Sequence, residues 1–179
     1  EFRRVLFRSK MEKDGVTILT SASVTAITET GVTYEKEGQS VTVAADKVLM
    51  AVGMRPNVNS FASLNLAMEK SGVQVNEFMQ TSTPNVYAIG DVIGKYMLAH
   101  VASHAGLVAI QHIAGDSHMK MDFKVIPSGI YTFPEIAMVG LTEQEAKAQG
   151  LNYKVSTFPL IANGKAMGEN EKEIGRAHV

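Results

Sequence analysis

The stretch from Thr81 to His100 constrains the fold most. A short apolar run, Val86-Tyr87-Ala88-Ile89, stops at Gly90-Asp91, and a helical pattern opens at Ala99. The run reads as a buried strand. Over 99–114, apolar residues recur at Val101, Ala105, Val108, Ala109 and Ile113, close to the 3.6-residue period, with Gly115 as the expected stop. Ala102, Ala105, Gly106 and Ala109 allow close packing on that helix. In open α/β sheets, ligands sit beyond the carboxyl ends of strands. Gly90 would let a ligand approach the backbone, and Asp91 would offer an acceptor to a hydroxyl. Gly-Asp is also common turn chemistry, so the residues alone leave a ligand turn and an ordinary strand-to-loop turn equally open.

Upstream, short β-branched stretches at 16–19, 24–28, 32–35 and 41–44 lead into 48–52, with turn residues at Gly31 and Gly38. Alternation in Val41-Thr42-Val43 predicts a half-exposed antiparallel strand. The unbroken Val48-Leu49-Met50-Ala51-Val52 predicts a strand buried on both faces. The chain then breaks at Gly53-Met54-Arg55-Pro56-Asn57, where a domain boundary is expected, because proline cannot donate to a ladder. Further strands are expected at 73–75, 130–133, 136–139 and 153–158. One short helix lies among the last three, started by a Thr142/Glu145 capping box and stopped at Gly150. A second domain is expected from about Ile126.

Composition excludes several functions. With 17 basic against 18 acidic side chains, the chain has no basic field for a phosphate backbone or an anionic membrane. Its apolar runs fall well short of the roughly 20 residues of a membrane-spanning helix. Neither nucleic acid nor membrane is therefore expected as a partner. Cysteine is absent, which removes any disulfide framework, thiolate metal site or cysteine nucleophile from these residues. The acids show no pairing that marks an acid–base dyad, so no catalytic residue is assigned. His100, His104 and His112 share a spacing used by helical zinc sites, but no further ligand pattern accompanies them, and packed or solvated histidines are the expected outcome. The two ends, 1–9 and 173–179, continue no neighbouring pattern and resemble translated sequencing adapters. They are set aside, and the rest is expected to be an internal piece of a longer protein.

Four stretches carry a family resemblance. Thr81 to Asp91, a threonine and a short apolar strand ending in Ala-Ile-Gly-Asp, resembles the second flavin-binding motif of the flavin-dependent pyridine-nucleotide disulfide reductases. Val52-Gly53-Met54-Arg55-Pro56-Asn57 resembles their Gly-Arg-x-Pro-Asn junction, with Met54 where arginine is usual. The stretch from Ile126 to Glu143 resembles the opening of their interface domain, with Phe133 where many members have histidine. Ala162-Asn163-Gly164-Lys165-Ala166 resembles a later part of that domain, with Lys165 in place of arginine. Within the family, Met97-Leu98-Ala99-His100 and Tyr131-Thr132-x-Pro134-Glu135 are similar to members that oxidise dihydrolipoamide. Glutathione reductases, mercuric reductases and peroxide-reducing relatives share the strand-Gly-Asp motif.

The resemblance implies a fold of α/β and α+β class: partial FAD- and NAD(P)-binding Rossmann-like domains followed by the start of an α+β interface (dimerisation) domain. The divisions are expected at 10–57 for the end of the NAD-binding domain, 58–121 for the end of the FAD-binding domain and 122–172 for the interface domain. It implies that Asp91 holds a hydroxyl of the flavin's ribityl chain beside Gly90. Met97, Leu98, Ala99 and His100 would lie at a helix start whose amides and dipole favour electron density on the flavin ring. Gly53 would lie against the dinucleotide and Val24 against its adenosine part, although plain core packing is the ordinary destination of a strand valine.

FAD and NAD are the implied cofactors. The implied partners are a second copy of the whole protein and lipoyl-bearing components of 2-oxo acid dehydrogenase or glycine cleavage systems, in the cytoplasm. The family's electron path needs a Cys-x4-Cys pair, glycine-rich phosphate turns and a histidine–glutamate pair, none of which this sequence contains. Residues 10–172 by themselves are therefore expected to lack reductase activity and to hold flavin weakly or not at all. The rival is a non-catalytic binding or dimerisation module.

Overall fold

The computed structural model describes residues 2–70, 72–132, 135–159 and 162–168. Phe133 and Pro134, the C-terminal stretch set aside above and the last expected interface residues lie outside that set. The chain divides into two compact units between Ser60 and Phe61. Among the described residues no helix is long and apolar enough to cross a membrane.

The first unit opens with helix α1 (Phe2–Lys13), which includes most of the N-terminal stretch set aside from the sequence reading. Arg8 and Glu12 pair at 2.8 Å one turn apart, and Lys10 and Asp14 at 3.5 Å. The helix stops where Gly15 takes a φ of +88°. There the Val16 amide reaches back to Met11 O and the Gly15 amide to Glu12 O, which satisfies carbonyls that a helix end leaves free.

Three antiparallel strands follow in the order β1 (Ser23–Thr28), β2 (Gly31–Lys36) and β3 (Gln39–Ala44). Glu37 (φ +53°) and Gly38 (φ +77°) form a two-residue turn between β2 and β3, a geometry whose twist matches that of the strands it joins. The register pairs Val24 with Tyr34 and Tyr34 with Val41, and likewise Ile27 with Val32 and Val32 with Val43. These six residues therefore share one face. Val24 and Ile27 can do so only because the ladder slips between Val24 and Ala26, leaving Thr25 as an extra residue that donates its hydroxyl to Thr33 O.

Three expectations fail in this unit, one of them the half-exposed strand at 41–43, since β3 is exposed along its whole length. Residues 16–19 and 48–52 are not strands, and the second stretch is open rather than buried, with Leu49 91% and Val52 87% exposed. A strand exists through its ladder, and among the described residues no neighbour pairs with either stretch.

The second unit is built around helix α2 (Ala99–Ile113). It starts and stops as the periodicity predicts. Gly115 takes a φ of +90°, and the Asp116 amide reaches back to Gln111 O. Val101, Ala105, Val108 and Ala109 are buried on one face. Ile113 departs from expectation and is mostly exposed. Packed with that face in the core are Val73, Met79 and Ile93, each essentially inaccessible.

The expected strands at 73–75 and 86–89 reduce to isolated bridges, Met68 with Val73 and Gln80 with Tyr87. Turns interrupt them instead. Asn76 Oδ1 accepts the Phe78 and Gln80 amides, and the Thr81 hydroxyl donates to Val86 O at 2.9 Å.

Beyond α2, β4 (Ser128–Ile130) pairs antiparallel with β5 (Ile136–Met138). The first of these starts earlier than expected, because Ser128 and Gly129 find partners in Met138 and Ala137 while Tyr131 stands 90% exposed in the loop. Helix α3 (Glu143–Ala148) carries the expected capping box. The Thr142 hydroxyl accepts the Glu145 amide at 3.2 Å, and Glu145 Oε2 accepts the Thr142 amide at 2.8 Å. Gly150 ends it at a φ of +65°. Residues 153–158 form no strand ladder among the described residues. A last short helix, α4 (Gly164–Gly168), is capped by Asn163 Oδ1, which accepts the Lys165 and Ala166 amides.

Candidate functional site

The Gly90–Ile93 segment is a 3-10 turn packed against α2. Gly90 is buried with a φ of +72°, and a Cβ there would meet Ala102 Cβ at 3.4 Å. The left-handed backbone favours glycine at this position, whereas a Cβ would meet Ala102 only in ordinary contact. The turn is also pinned from below. The Val73 amide donates to Val92 O at 3.0 Å, and Gly72 lies so close that a Cβ would stand 2.4 Å from the same oxygen.

Asp91 sits on this turn and is exposed. Its main-chain carbonyl accepts the Gly94 amide, whereas its carboxylate has no hydrogen-bond partner among the described residues. A few residues on, Leu98 caps α2 with extended backbone and no side-chain cap. Main-chain hydrogen bonding from the helix start is first seen at Val101 and Ala102, both to Leu98 O. The Ala99 and His100 amides are left without acceptors among the described residues, as the first turn of any helix leaves them. Gly90, Asp91, Leu98, Ala99 and His100 thus form one end of the second unit: a left-handed glycine, a free carboxylate, and free amides at the positive end of a helix dipole. Met97 is part-buried just before them. The set suits a ligand with a hydroxyl for Asp91 and electron density for the amides.

The other expected contacts belong to the first unit. Gly53 has a φ of +93° and open space around it. Val24 is 58% exposed on the apolar face of β1, so it is not core packing within its own unit. The three spaced histidines do not converge. His100 Nε2 meets Pro127 O at 2.8 Å, His104 is exposed, and His112 Nδ1 meets the Tyr87 hydroxyl at 2.7 Å while its ring stacks on Phe78.

Two features of the site were not read from the sequence. The tie between Tyr87 and His112 joins the segment before Gly90 to the far end of α2, and nothing local in the sequence marks it, since the two residues are 25 apart. An open apolar cavity of about 360 Å³ lies against 86–92, lined by Phe61, Leu64, Val73, Val86, Ile89 and Val92. The apolar residues of 61–66 were the only available signal for it.

Electrostatic perturbation lies away from this turn. Hydrogen bonds from the Thr142 side chain and amide hold the Glu145 carboxyl below its usual range. The His118 amide and ring do the same for Asp116. Lys147 is raised by Tyr153 and Glu143. Each arises from local structure.

Comparison with known proteins gives the family. The sequence pattern described as pyridine nucleotide-disulphide oxidoreductase matches residues 3–106, and that family's dimerisation-domain pattern matches residues 126–178. A dihydrolipoyl dehydrogenase of Bacillus subtilis (strain 168) is 41% identical over 92% of this chain and 36% of its own length. One from Chlamydia pneumoniae is 44% identical over 89% of this chain and 35% of its own. This chain therefore spans about a third of the length of the curated relatives it matches.

Among solved structures, the Cu(II) complex of the HOCl-induced flavoprotein disulfide reductase RclA from Escherichia coli superposes with a TM-score of 0.73. At 24% identity, over 93% of this chain and 38% of that one, it speaks to the fold alone. A NAD-dependent persulfide reductase from A. fulgidus gives a TM-score of 0.64 at 27% identity, over 87% of this chain and 31% of that one. With both halves matched, the chain belongs to the pyridine nucleotide-disulphide oxidoreductase family.

Proposed function

We propose that this chain forms the flavin-holding end and the start of the dimer interface of a dihydrolipoyl dehydrogenase, an enzyme that oxidises dihydrolipoamide to lipoamide and reduces NAD+. The observation that carries the reading is the Gly90-Asp91 turn packed against the uncapped start of α2, in a sequence 41% identical to a dihydrolipoyl dehydrogenase. FAD, when bound, supplies the two-electron relay between a dithiol and the nicotinamide. Asp91 accepts a hydrogen bond from a hydroxyl of its ribityl chain, and Gly90 admits the chain close to the backbone. Met97, Leu98, Ala99 and His100 place free amides and the helix dipole where the ring gains electron density. Gly53 and Val24 serve the dinucleotide, which the open space at Gly53 and the exposure of Val24 permit.

In this reading, residues 10–57 close the NAD-binding part, 58–121 close the FAD-binding part and 122–172 begin the interface part, paired in a homodimer. The complete enzyme works in the cytoplasm on lipoyl groups carried by 2-oxo acid dehydrogenase or glycine cleavage components. The cysteine pair that meets the dithiol is not among these residues, so they hold and orient cofactor and perform no thiol chemistry. NAD+ reduction by the complete enzyme tests the assignment. Dihydrolipoamide should be oxidised far faster than reduced glutathione, and equal rates would remove the substrate assignment.

A further inference from the structure

The connection that follows α2 runs back from the helix's C-terminal end to its start, fastened along the way. The Met121 amide donates to Glu77 O at 2.8 Å, and Lys120 pairs with Glu77 at 3.6 Å. The Phe123 ring lies parallel to Tyr96 at 6.2 Å, with Lys95 Nζ 5.1 Å from its centre. The last fastening is the hydrogen bond between His100 Nε2 and Pro127 O, at 2.8 Å. A carbonyl can only accept, so Nε2 carries the proton in this pair. Strand β4 begins at the next residue, Ser128.

We infer that His100 is a positioning residue whose imidazole locks the entry of β4 to the start of α2. Neutral imidazole with the proton on Nε2 and charged imidazolium both donate, so the lock holds in either form. The lock settles how one residue can serve two neighbours: the side chain is committed to Pro127, and only the main-chain amide of His100 faces a cofactor. That last clause rests on the flavin reading above, whereas the lock itself does not.

The test compares the 179-residue chain with His100→Gln, whose amide nitrogen can stand in for Nε2, and His100→Leu, which has no donor. Trypsin cleavage after Lys124 under native conditions reports local opening of the connection. The Leu variant should be cut about two- to twelvefold faster, the factor that one net hydrogen bond is worth, and the Gln variant at close to the wild-type rate. Wild-type cleavage in the Leu variant, or equal acceleration in both variants, overturns the lock. If circular dichroism shows that the Leu variant is unfolded, wild-type NMR decides: contacts between the His100 ring protons and Pro127 or Ser128 support the lock, and their absence overturns it. No flavin enters these measurements, so their failure is separate from failure of the flavin assignment.

Discussion

Gly72→Ala is the substitution through which the packing beneath Asp91 can be tested. The glycine is required here for space. A Cβ would stand 2.4 Å from Val92 O, 2.7 Å from Ile93 C and 2.9 Å from Ile93 O, all main-chain atoms. Clearing the nearest of these to van der Waals contact needs a shift of about 1 Å. Val92 O is also the acceptor of the Val73 amide at 3.0 Å, and that bond does not survive such a shift. Overpacking costs about 1–3 kcal/mol, and leaving a buried amide unpaired adds about 1–3 kcal/mol. The expected loss is therefore about 2–6 kcal/mol, taken by the unit that begins at Phe61.

Gly53→Ala is the contrasting substitution, because its φ of +93° lies in open space. It should cost only the left-handed strain of about 1–2 kcal/mol, confined to the first unit. Urea unfolding combined with hydrogen exchange of the 72–79 and 88–96 peptides separates the two. At a loss of about 4 kcal/mol, protection in those peptides falls roughly a thousandfold. Unchanged protection of Val73 in Gly72→Ala would refute the claim that the Val92 carbonyl is held against Gly72.

Three further outcomes follow from particular contacts. The Glu145 carboxyl is held below its usual range by Thr142, so its contribution to α3 is fully present above the ordinary glutamate pKa and is lost as pH falls through the lowered value. An NMR titration of Glu145 should show a depressed midpoint that moves back toward normal in Thr142→Ala, which loses the hydroxyl and keeps the amide; a normal midpoint in the parent chain contradicts this. Tyr87→Phe removes the 2.7 Å bond to His112 and should cost about 0.5–1.5 kcal/mol in urea unfolding, with faster exchange at 86–88; no change would show that the bond does not hold that segment. Residues 10–172, purified alone, should show no dithiol oxidation, having no cysteine, and no stoichiometric flavin by visible absorbance; a full complement of flavin overturns the second part.

What the sequence made legible was local. Helix ends were readable because caps are encoded in adjacent residues: Gly115 and Gly150 stop α2 and α3 with left-handed backbone, and Thr142 with Glu145 starts α3. The three strands of the meander were also readable from their β-branched runs, whereas their register and the slip at Thr25 came from the structure. Strands that depend on distant partners were misread. An apolar run such as 48–52 signals burial without supplying the neighbour that buries it, and 73–75 and 86–89 were shortened by Asn76 and Thr81 turns that outcompete ladder pairing.

The site divides along the same line. Gly90, Asp91 and the start of α2 were readable because they lie within one short stretch of chain. The ties of His100 to Pro127 and His112 to Tyr87 were not, because they span 27 and 25 residues. The spacing of those histidines pointed instead to a shared face.

The central claim is that the Asp91 carboxylate, exposed and without a hydrogen-bond partner among the described residues, is reserved for a flavin hydroxyl. The direct measurement is the FAD dissociation constant of the complete enzyme and of its Asp91→Ala variant, with urea unfolding as the control. Losing one charge-assisted hydrogen bond, about 1.5–3 kcal/mol, should weaken FAD binding roughly ten- to 150-fold while the stability of the flavin-free protein stays within about 0.5 kcal/mol. Equal affinity for FAD in the two proteins would contradict the account.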